Sequence, residues 1–148
     1  MKKTIKLLLL ATAVLVLMVV ACSDSDSLWI RIGKTATGEN YYDKNSIHQT
    51  DQGIRIIKTK AVYGAEGKKT KRAFLESIGK HEKTPQDLHH EIRIWRVDCK
   101  HKKINPFSST IYDAENNIIV SSPEFPDKWD DILPESLADK IQSIVCKE

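Results

Sequence analysis

One alternating segment that ends on a cysteine constrains the fold of this chain more than any other feature. Residues 91–99 alternate polar and apolar side chains, which is the period of a β-strand, and the last of them is Cys99. A bond from Cys99 to Cys146, the third residue from the end of the chain, would fix the last segment onto this strand. Whether that bond forms depends on the compartment, because disulfides persist in oxidising environments.

The first 21 residues have the layout of a secretory signal peptide. Residues 1–6 include three lysines and form a basic segment, and residues 7–20 form an apolar run of 14 residues. A helix needs about 20 apolar residues to span a bilayer, so this run is short for a membrane anchor. We therefore predict a cleaved signal peptide over residues 1–21; an uncleaved anchor is the alternative.

The apolar run closes on a Val-Val-Ala-Cys sequence at residues 19–22, which resembles the lipobox of bacterial lipoproteins. In such proteins the cysteine becomes the N-terminus and carries acyl chains such as palmitate, and two chains anchor a protein stably. Residues 22–27 form a polar tether that cannot pack. Ser23, rather than aspartate, follows the cysteine, which resembles an outer-membrane address. We expect an exported protein anchored to the cell envelope through lipid on Cys22.

Removing the signal peptide changes both the charge and the cysteine count. The full chain has 23 basic and 20 acidic residues, and the signal peptide holds three of the lysines and no acid. The remaining 20 basic and 20 acidic residues make a neutral domain, so we expect no nucleic-acid partner. With Cys22 modified, Cys99 and Cys146 are an even pair in an oxidising compartment. We predict a disulfide between them; two buried free thiols are the alternative.

Residues 28–148 are long enough for one domain with one core. The predicted strands cover residues 28–33, 40–43, 54–63, 88–99, 104–112 and 118–121. In the fourth strand the apolar residues change from even to odd positions near Trp95. Either a bulge near Trp95 or a strand covered on both faces would explain this change. Pro106 indicates an edge position or a late start for the fifth.

Two segments of the domain carry helical patterns. Residues 64–87 interrupt the strands, and we expect a polar turn at 64–69, a short helix at 70–78 with Phe74 and Ile78 on one side, and a loop at 80–87. Near the C-terminus, Pro134 suits a first helical turn. The apolar stripe of that last helix consists of Leu137, Ile141, Ile144 and Val145.

Several short segments, in order along the chain, resemble the surface-adhesin protein E family of bacterial lipoproteins. They are residues 29–33, 41–43 with 46–47, 97–99, 108–112, Trp129 with 132–136, and 144–146. The resemblance implies an antiparallel sheet with a helix packed on it and a Cys99–Cys146 disulfide. It also implies a surface lipoprotein that binds host or environmental macromolecules. The insertion at 64–87 departs from the shorter family pattern.

No group of reactive side chains predicts catalysis or a cofactor. The five histidines are His48, His81, His89, His90 and His101. His89 and His90 are adjacent on a strand and should point to opposite faces, so we expect no metal site. Asp130 and Asp131 precede a helix, where acids more often serve capping than catalysis or calcium binding. The serine pairs at 108–109 and 121–122 lack the setting of a hydrolase nucleophile.

The remaining candidates for binding are basic clusters and tryptophans. Residues 68–72 and 100–103 are basic, and they form either solvated turns or a patch for acidic glycans or lipid headgroups. Trp29, Trp95 and Trp129 are expected in the core or at its seams rather than on a sugar-stacking platform.

These observations together predict an α+β domain with an antiparallel sheet of about six strands, a C-terminal helix packed on it and one disulfide. The function expected by resemblance is that of a non-enzymatic, adhesin-like envelope lipoprotein whose partner is an extracellular macromolecule or glycan. One alternative is a periplasm-facing structural or assembly factor on the same anchor. The other is a small envelope hydrolase. The ligand-binding residues and the oligomeric state stay open.

Overall fold

The computed structural model describes residues 27–79, 88–122 and 126–147. The predicted signal peptide, Cys22 and the predicted loop at 80–87 lie outside these ranges. None of the described helices is long and apolar enough to cross a membrane. The strands are β1 (Trp29–Thr35), β2 (Gly38–Asp43), β3 (His48–Gln49), β4 (Arg55–Tyr63), β5 (Leu88–Asp98), β6 (Lys103–Asp113), β7 (Ile118–Ser122) and β8 (Asp130–Asp131). The helices are α1 (Ala65–Ser77) and α2 (Leu137–Val145).

The described residues form the α+β fold that was predicted, with one antiparallel sheet in the order β1-β2-β4-β5-β6-β7. The short strands β3 and β8 pair with β4 and β6. Every predicted strand is present, and β1 and β2 form a hairpin, as do β6 and β7. The short helix expected at 70–78 is present as the longer helix α1, and the predicted C-terminal helix is α2.

The strand that was predicted to end on Cys99 is the interior strand β5, which ends one residue earlier, at Asp98, and pairs along its length with β4 and β6. The ladder between β5 and β6 shifts between Ile94 and Trp95, where Phe107 of β6 is the extra residue. The irregularity predicted near Trp95 is therefore present, but the partner strand contains the bulge. Pro106 lies beside it, on a stretch of β6 between its pairings with β7 and β8. The missing N–H of the proline is tolerated because that stretch is locally an edge.

Side chains on one face of the sheet pack against both helices in two separate clusters. The cluster under α2 consists of Ile57, Val97, Ile104, Ile141 and Val145. The cluster under α1 consists of Leu75, Leu88 and Ile111. Since successive residues of a strand point to opposite faces, the odd-numbered residues of β5 from Glu91 to Val97 all face the helices. A cleft lies between the two clusters.

Helix α1 begins earlier than the sequence predicted. The segment at 64–69 was expected to be a turn because it contains two glycines, but Ala65 already starts the helix and Gly64 is its N-cap. The reason is a close approach between elements: a Cβ on Gly67 would lie 2.0 Å from the carbonyl oxygen of Thr37. Gly67 therefore lets the helix rest directly on the turn between β1 and β2.

The packed side of α1 also differs from the prediction. Phe74 and Ile78, expected on the apolar side, are 51% and 48% exposed, and Leu75 is fully buried. The two exposed residues are four apart and share one side of the helix, where they line a second pocket beside the Leu75 cluster instead of filling the core.

Helix α2 confirms the predicted stripe but begins three residues after Pro134. Ser136 is the N-cap and its hydroxyl accepts from the Asp139 backbone N–H at 3.1 Å. Glu135 has a φ of +63°, a left-handed conformation that cannot belong to the helix. At the other end, Cys146 is the C-cap residue and forms the predicted disulfide with Cys99, with their Cα atoms 5.7 Å apart. The C-cap residue thus turns out of the stripe to reach Cys99, which directly follows β5.

Candidate functional site

A buried carboxylate stands at the centre of the helix-covered face. Glu91 of β5 is only 5% exposed. It lies beneath α1, on the same side of the strand as Arg93 and Trp95. We call Glu91 and the four side chains that bind it the Glu91 cluster: Tyr63, Lys71, Glu91, Arg93 and Ser109. Four elements, β4, α1, β5 and β6, supply these residues.

Both carboxylate oxygens of Glu91 are occupied. The Oε1 atom accepts from Arg93 Nη2 at 2.6 Å and from Arg93 Nε at 3.2 Å, and the Ser109 hydroxyl donates to it as well. The Oε2 atom accepts from Tyr63 Oη at 2.9 Å and pairs with Lys71 Nζ at 2.9 Å. A buried carboxylate with this many donors is held in one orientation.

The electrostatics of the cluster keep Glu91 ionised. Burial by itself raises the pKa of this carboxyl, but the charges of Arg93 and Lys71 and the hydrogen bonds from Ser109 and Arg93 outweigh it and lower the pKa to about 2. Burial, with the charge of Glu91, raises the pKa of Tyr63 well above its ordinary value. Neither group exchanges a proton near neutral pH, so neither is suited to general acid–base catalysis.

The cleft between α1 and α2 opens onto this cluster and has a volume of about 290 Å³. Lys71, Glu91, Arg93 and Trp95 line one part of it. The other polar side chains of the lining carry hydroxyl or amide groups: Thr35, Thr37, Asn40, Thr59, Tyr63 and Thr70. Most of the exposed lining is nevertheless apolar, so the cleft is an apolar pocket with hydroxyl groups along it and charge on one side.

The indole of Trp95 forms a fixed wall of the cleft. Its Nε1 donates to Thr59 Oγ1 at 2.9 Å, and the guanidinium of Arg93 lies 4.9 Å from the ring centroid. The other two tryptophans lie on the opposite face of the sheet. There the ammonium of Lys60 lies 4.4 Å from the Trp29 ring, and the guanidinium of Arg96 lies 5.4 Å from the Trp129 ring. All three tryptophans are partly buried, as predicted for seam positions.

The histidines do not behave entirely as predicted. His89 and His90 were expected on opposite faces, but a register shift at His89 brings their Nδ1 atoms to 3.0 Å. His90 is also buried rather than exposed, and its ring stacks on Tyr112. His48 and His101 are exposed, and His81 is outside the described residues. Within residues 27–79, 88–122 and 126–147, no group of three or more His, Cys, Asp or Glu side chains could hold a metal ion.

The neighbouring acids Asp130 and Asp131 do not cap a helix, which was the role expected for them. Asp130 and Asp131 form β8, and Asp131 pairs with Lys103 at 2.8 Å. The capping prediction is wrong because Ser136 supplies the cap in a turn that separates β8 from α2.

The basic segment 68–72, expected to form either a solvated turn or an anion-binding patch, lies on α1, where Lys71 points inward to Glu91. Ser109, considered above with the serine pairs, directs its hydroxyl at Glu91, whose low pKa makes it a poor base. The segment 100–103 is a turn that leads into β6, as predicted.

Sequence reasoning missed the Glu91 cluster as a unit. The alternation of the strand did give one indication of it, because Glu91 and Arg93 lie on the same strand face as Trp95 and Val97. Two charged residues on a face that buries apolar neighbours indicate a buried ion pair. Their partners on α1 and β6 could not be identified without the register of the strands.

The described molecule is a small α+β domain with a disulfide-tethered C-terminal helix and a cleft beneath its two helices that is charged on one side. The chain belongs to the surface-adhesin protein E family, whose model matches residues 29–147. Membership implies an exported protein at the cell surface with an adhesin-like role. No curated protein matches the chain.

Proposed function

We propose that this chain is a lipid-anchored envelope lipoprotein whose folded domain binds an extracellular macromolecule or glycan without catalysing a reaction. The match of the surface-adhesin protein E model over residues 29–147 carries the proposal. The lipobox-like sequence at residues 19–22 supplies the means of anchoring. The outer membrane is the proposed site, because Ser23 rather than aspartate follows Cys22.

The state of the buried acid supports a binding role. A catalytic carboxyl commonly has a pKa raised toward the working pH, so that it can gain and lose a proton. Glu91 shows the reverse shift, with a pKa of about 2 and cations on both oxygens. This arrangement is typical of a structural ion cluster that shapes a surface.

The proposed tether fits an anchored binding domain. Residues 22–27 separate the lipid-bearing cysteine from β1, which begins at Trp29. Six extended residues span about 20 Å at most. The domain would therefore stay close to the membrane surface, and its ligand would have to approach that surface.

Replacing Cys22 by alanine should move the protein from the membrane fraction to the soluble fraction. The reason is that the thiol is the acceptor of the proposed lipid, and without acyl chains the neutral domain has little affinity for a bilayer. Membrane and soluble fractions of broken cells, compared by immunoblot, measure the change. Mass analysis of the parent protein should show an acylated N-terminus at Cys22.

The matched control is Ser25→Ala, a substitution in the same tether that leaves the cysteine in place; it should stay in the membrane fraction. Membrane retention of Cys22→Ala equal to that of the parent would contradict the lipid anchor. It would point instead to an uncleaved apolar segment at residues 7–20.

A further inference from the structure

We propose that the cleft between α1 and α2 binds one carboxylated sugar, either as a free monosaccharide or as the terminal unit of a glycan chain. The inference assigns a ligand class and residues to the proposed binding role and rests on that role. It is drawn from the volume, the charge and the hydroxyl content of the cleft.

The volume of the cleft sets the size of the ligand. At about 290 Å³, it lies at the lower end of the range of small-molecule pockets, about 300–1,000 Å³. One pyranose ring with its substituents fits such a space. A folded peptide segment does not.

The charge of the lining favours an anion. Lys71 and Arg93 contribute two positive charges and Glu91 one negative charge, so the charged groups that line the cleft leave one positive charge in excess. Lys71 and Arg93 have side chains only 19% and 32% exposed, which strengthens their attraction for an entering anion.

The geometry of Arg93 leaves a donor for that anion. Among the contacts within the described residues, Arg93 donates to Glu91 through Nε and Nη2, and Nη1 is not engaged. A guanidinium can bind a second carboxylate through its remaining N–H groups. The second carboxylate would lie beside the Trp95 ring, over which the guanidinium is already placed.

The hydroxyl groups of the lining favour a sugar over a simple anion or a fatty acid. Thr35, Thr37 and Asn40 hydrogen-bond one another, which leaves acceptor capacity on Thr37. Thr70 adds a hydroxyl that can both donate and accept. An inorganic anion would leave the Thr70 hydroxyl without a ligand partner, and an acyl chain would bury it unpaired at a cost. The apolar part of the lining, which includes Ala61, Trp95 and Leu137, offers a surface for the C–H side of a pyranose ring.

The test is a titration of the full chain, isolated in detergent and labelled with ¹⁵N, followed through the three tryptophan indole N–H signals. Glucuronate is the probe, and glucose is its neutral control. Glucuronate should shift the Trp95 signal with millimolar affinity, and glucose should bind at least tenfold more weakly. Trp29 and Trp129 lie on the opposite face and should not shift. Assignment of the three signals uses Trp29→Phe and Trp129→Phe.

A cavity-filling variant tests the location. Ala61 lines the cleft and lies outside the Glu91 cluster, so Ala61→Leu should weaken glucuronate binding more than tenfold. The matched control is Val62→Leu, at the next residue and on the opposite face of the sheet, which should bind as the parent does. Thr70→Val, at an exposed helical position, should weaken binding at least threefold and serves if Ala61→Leu fails to fold.

The outcomes distinguish a free sugar from the end of a glycan chain, and they include results that would overturn the inference. A Trp95 shift with a glucuronate-terminated tetrasaccharide identifies a glycan end as ligand; a shift with the monosaccharide alone identifies the free sugar. No Trp95 shift with glucuronate, equal binding of glucose, or parent-like binding by the folded cleft variants overturns the inference. Each of these results is independent of anchoring and surface exposure, which test the proposed function separately.

Discussion

Replacing both Cys99 and Cys146 by serine should lower the free energy of unfolding by about 4 kcal/mol. The bond closes a loop whose ends are 47 residues apart in sequence, and a cross-link of that span removes about 4 kcal/mol of chain entropy from the unfolded state. The double substitution is preferred to a single one because it leaves no unpaired thiol. Urea denaturation at neutral pH measures the change.

The loss should be largest in α2. This helix has nine residues, and isolated helices shorter than about 12–15 residues are marginal in water. Its stability therefore comes from packing Ile141 and Val145 on the sheet and from the bond at its C-cap. Amide hydrogen exchange should accelerate in α2 more than in β4 and β5.

A reduced sample of the parent protein is the matched control for this experiment. Its unfolding midpoint should coincide with that of the double serine variant, since both lack the same cross-link. A loss of less than 1 kcal/mol, or unchanged exchange in α2, would contradict the structural role of the bond.

Replacing Glu91 by glutamine should destabilise the domain by about 3 kcal/mol. Removing one partner of a buried ion pair commonly costs about 3–5 kcal/mol, because the opposite charges are left buried and unpaired. We expect the lower end of that range since Lys71 and Arg93 keep some contact with water. Glutamine preserves the shape of the side chain, so the effect measures charge rather than packing.

The matched control is Glu39→Gln. Glu39 forms an ion pair of the same length as the Glu91–Arg93 pair, 2.6 Å, with Arg31 on the exposed surface. Exposed pairs contribute little to stability, so this variant should unfold at nearly the same urea concentration as the parent. Equal effects of the two substitutions would contradict the view that burial gives the Glu91 cluster its importance.

The same cluster predicts a pH dependence. The pKa of Glu91 is about 2 in the folded domain, below its ordinary value of 4.5. A lowered folded pKa stabilises the domain fully above the ordinary pKa and loses that contribution as the pH falls through 2. The parent should lose about 3 kcal/mol through this group between pH 5 and pH 2, whereas Glu91→Gln lacks that part of the decline. Parallel pH profiles would contradict the assignment.

Much of the sheet could be predicted from the sequence because a strand shows itself locally in the alternation of polar and apolar residues. The alternation in residues 91–99 identified β5, and the apolar stripe from Leu137 to Val145 identified the packed side of α2. The start of α1 could not be predicted in this way. Gly67 resembles a turn residue locally, and only its close approach to Thr37 in the folded domain explains a glycine inside that helix.

The candidate site was harder to predict than the fold, because its residues are distant in sequence. Tyr63, Lys71 and Ser109 converge on Glu91 only after the strand register and the position of α1 are fixed. The contact between His89 and His90 has a similar origin, since it depends on a register shift that alternation alone cannot show.

The most direct test of a surface adhesin is access to the folded domain on intact cells. An antibody or a protease should reach it without breaking the outer membrane, while a periplasmic marker protein in the same cells stays protected. That result would support binding outside the cell and justify screening glycans and matrix proteins. Protection of the domain until the outer membrane is broken would contradict the adhesin role and favour a periplasm-facing structural or assembly factor.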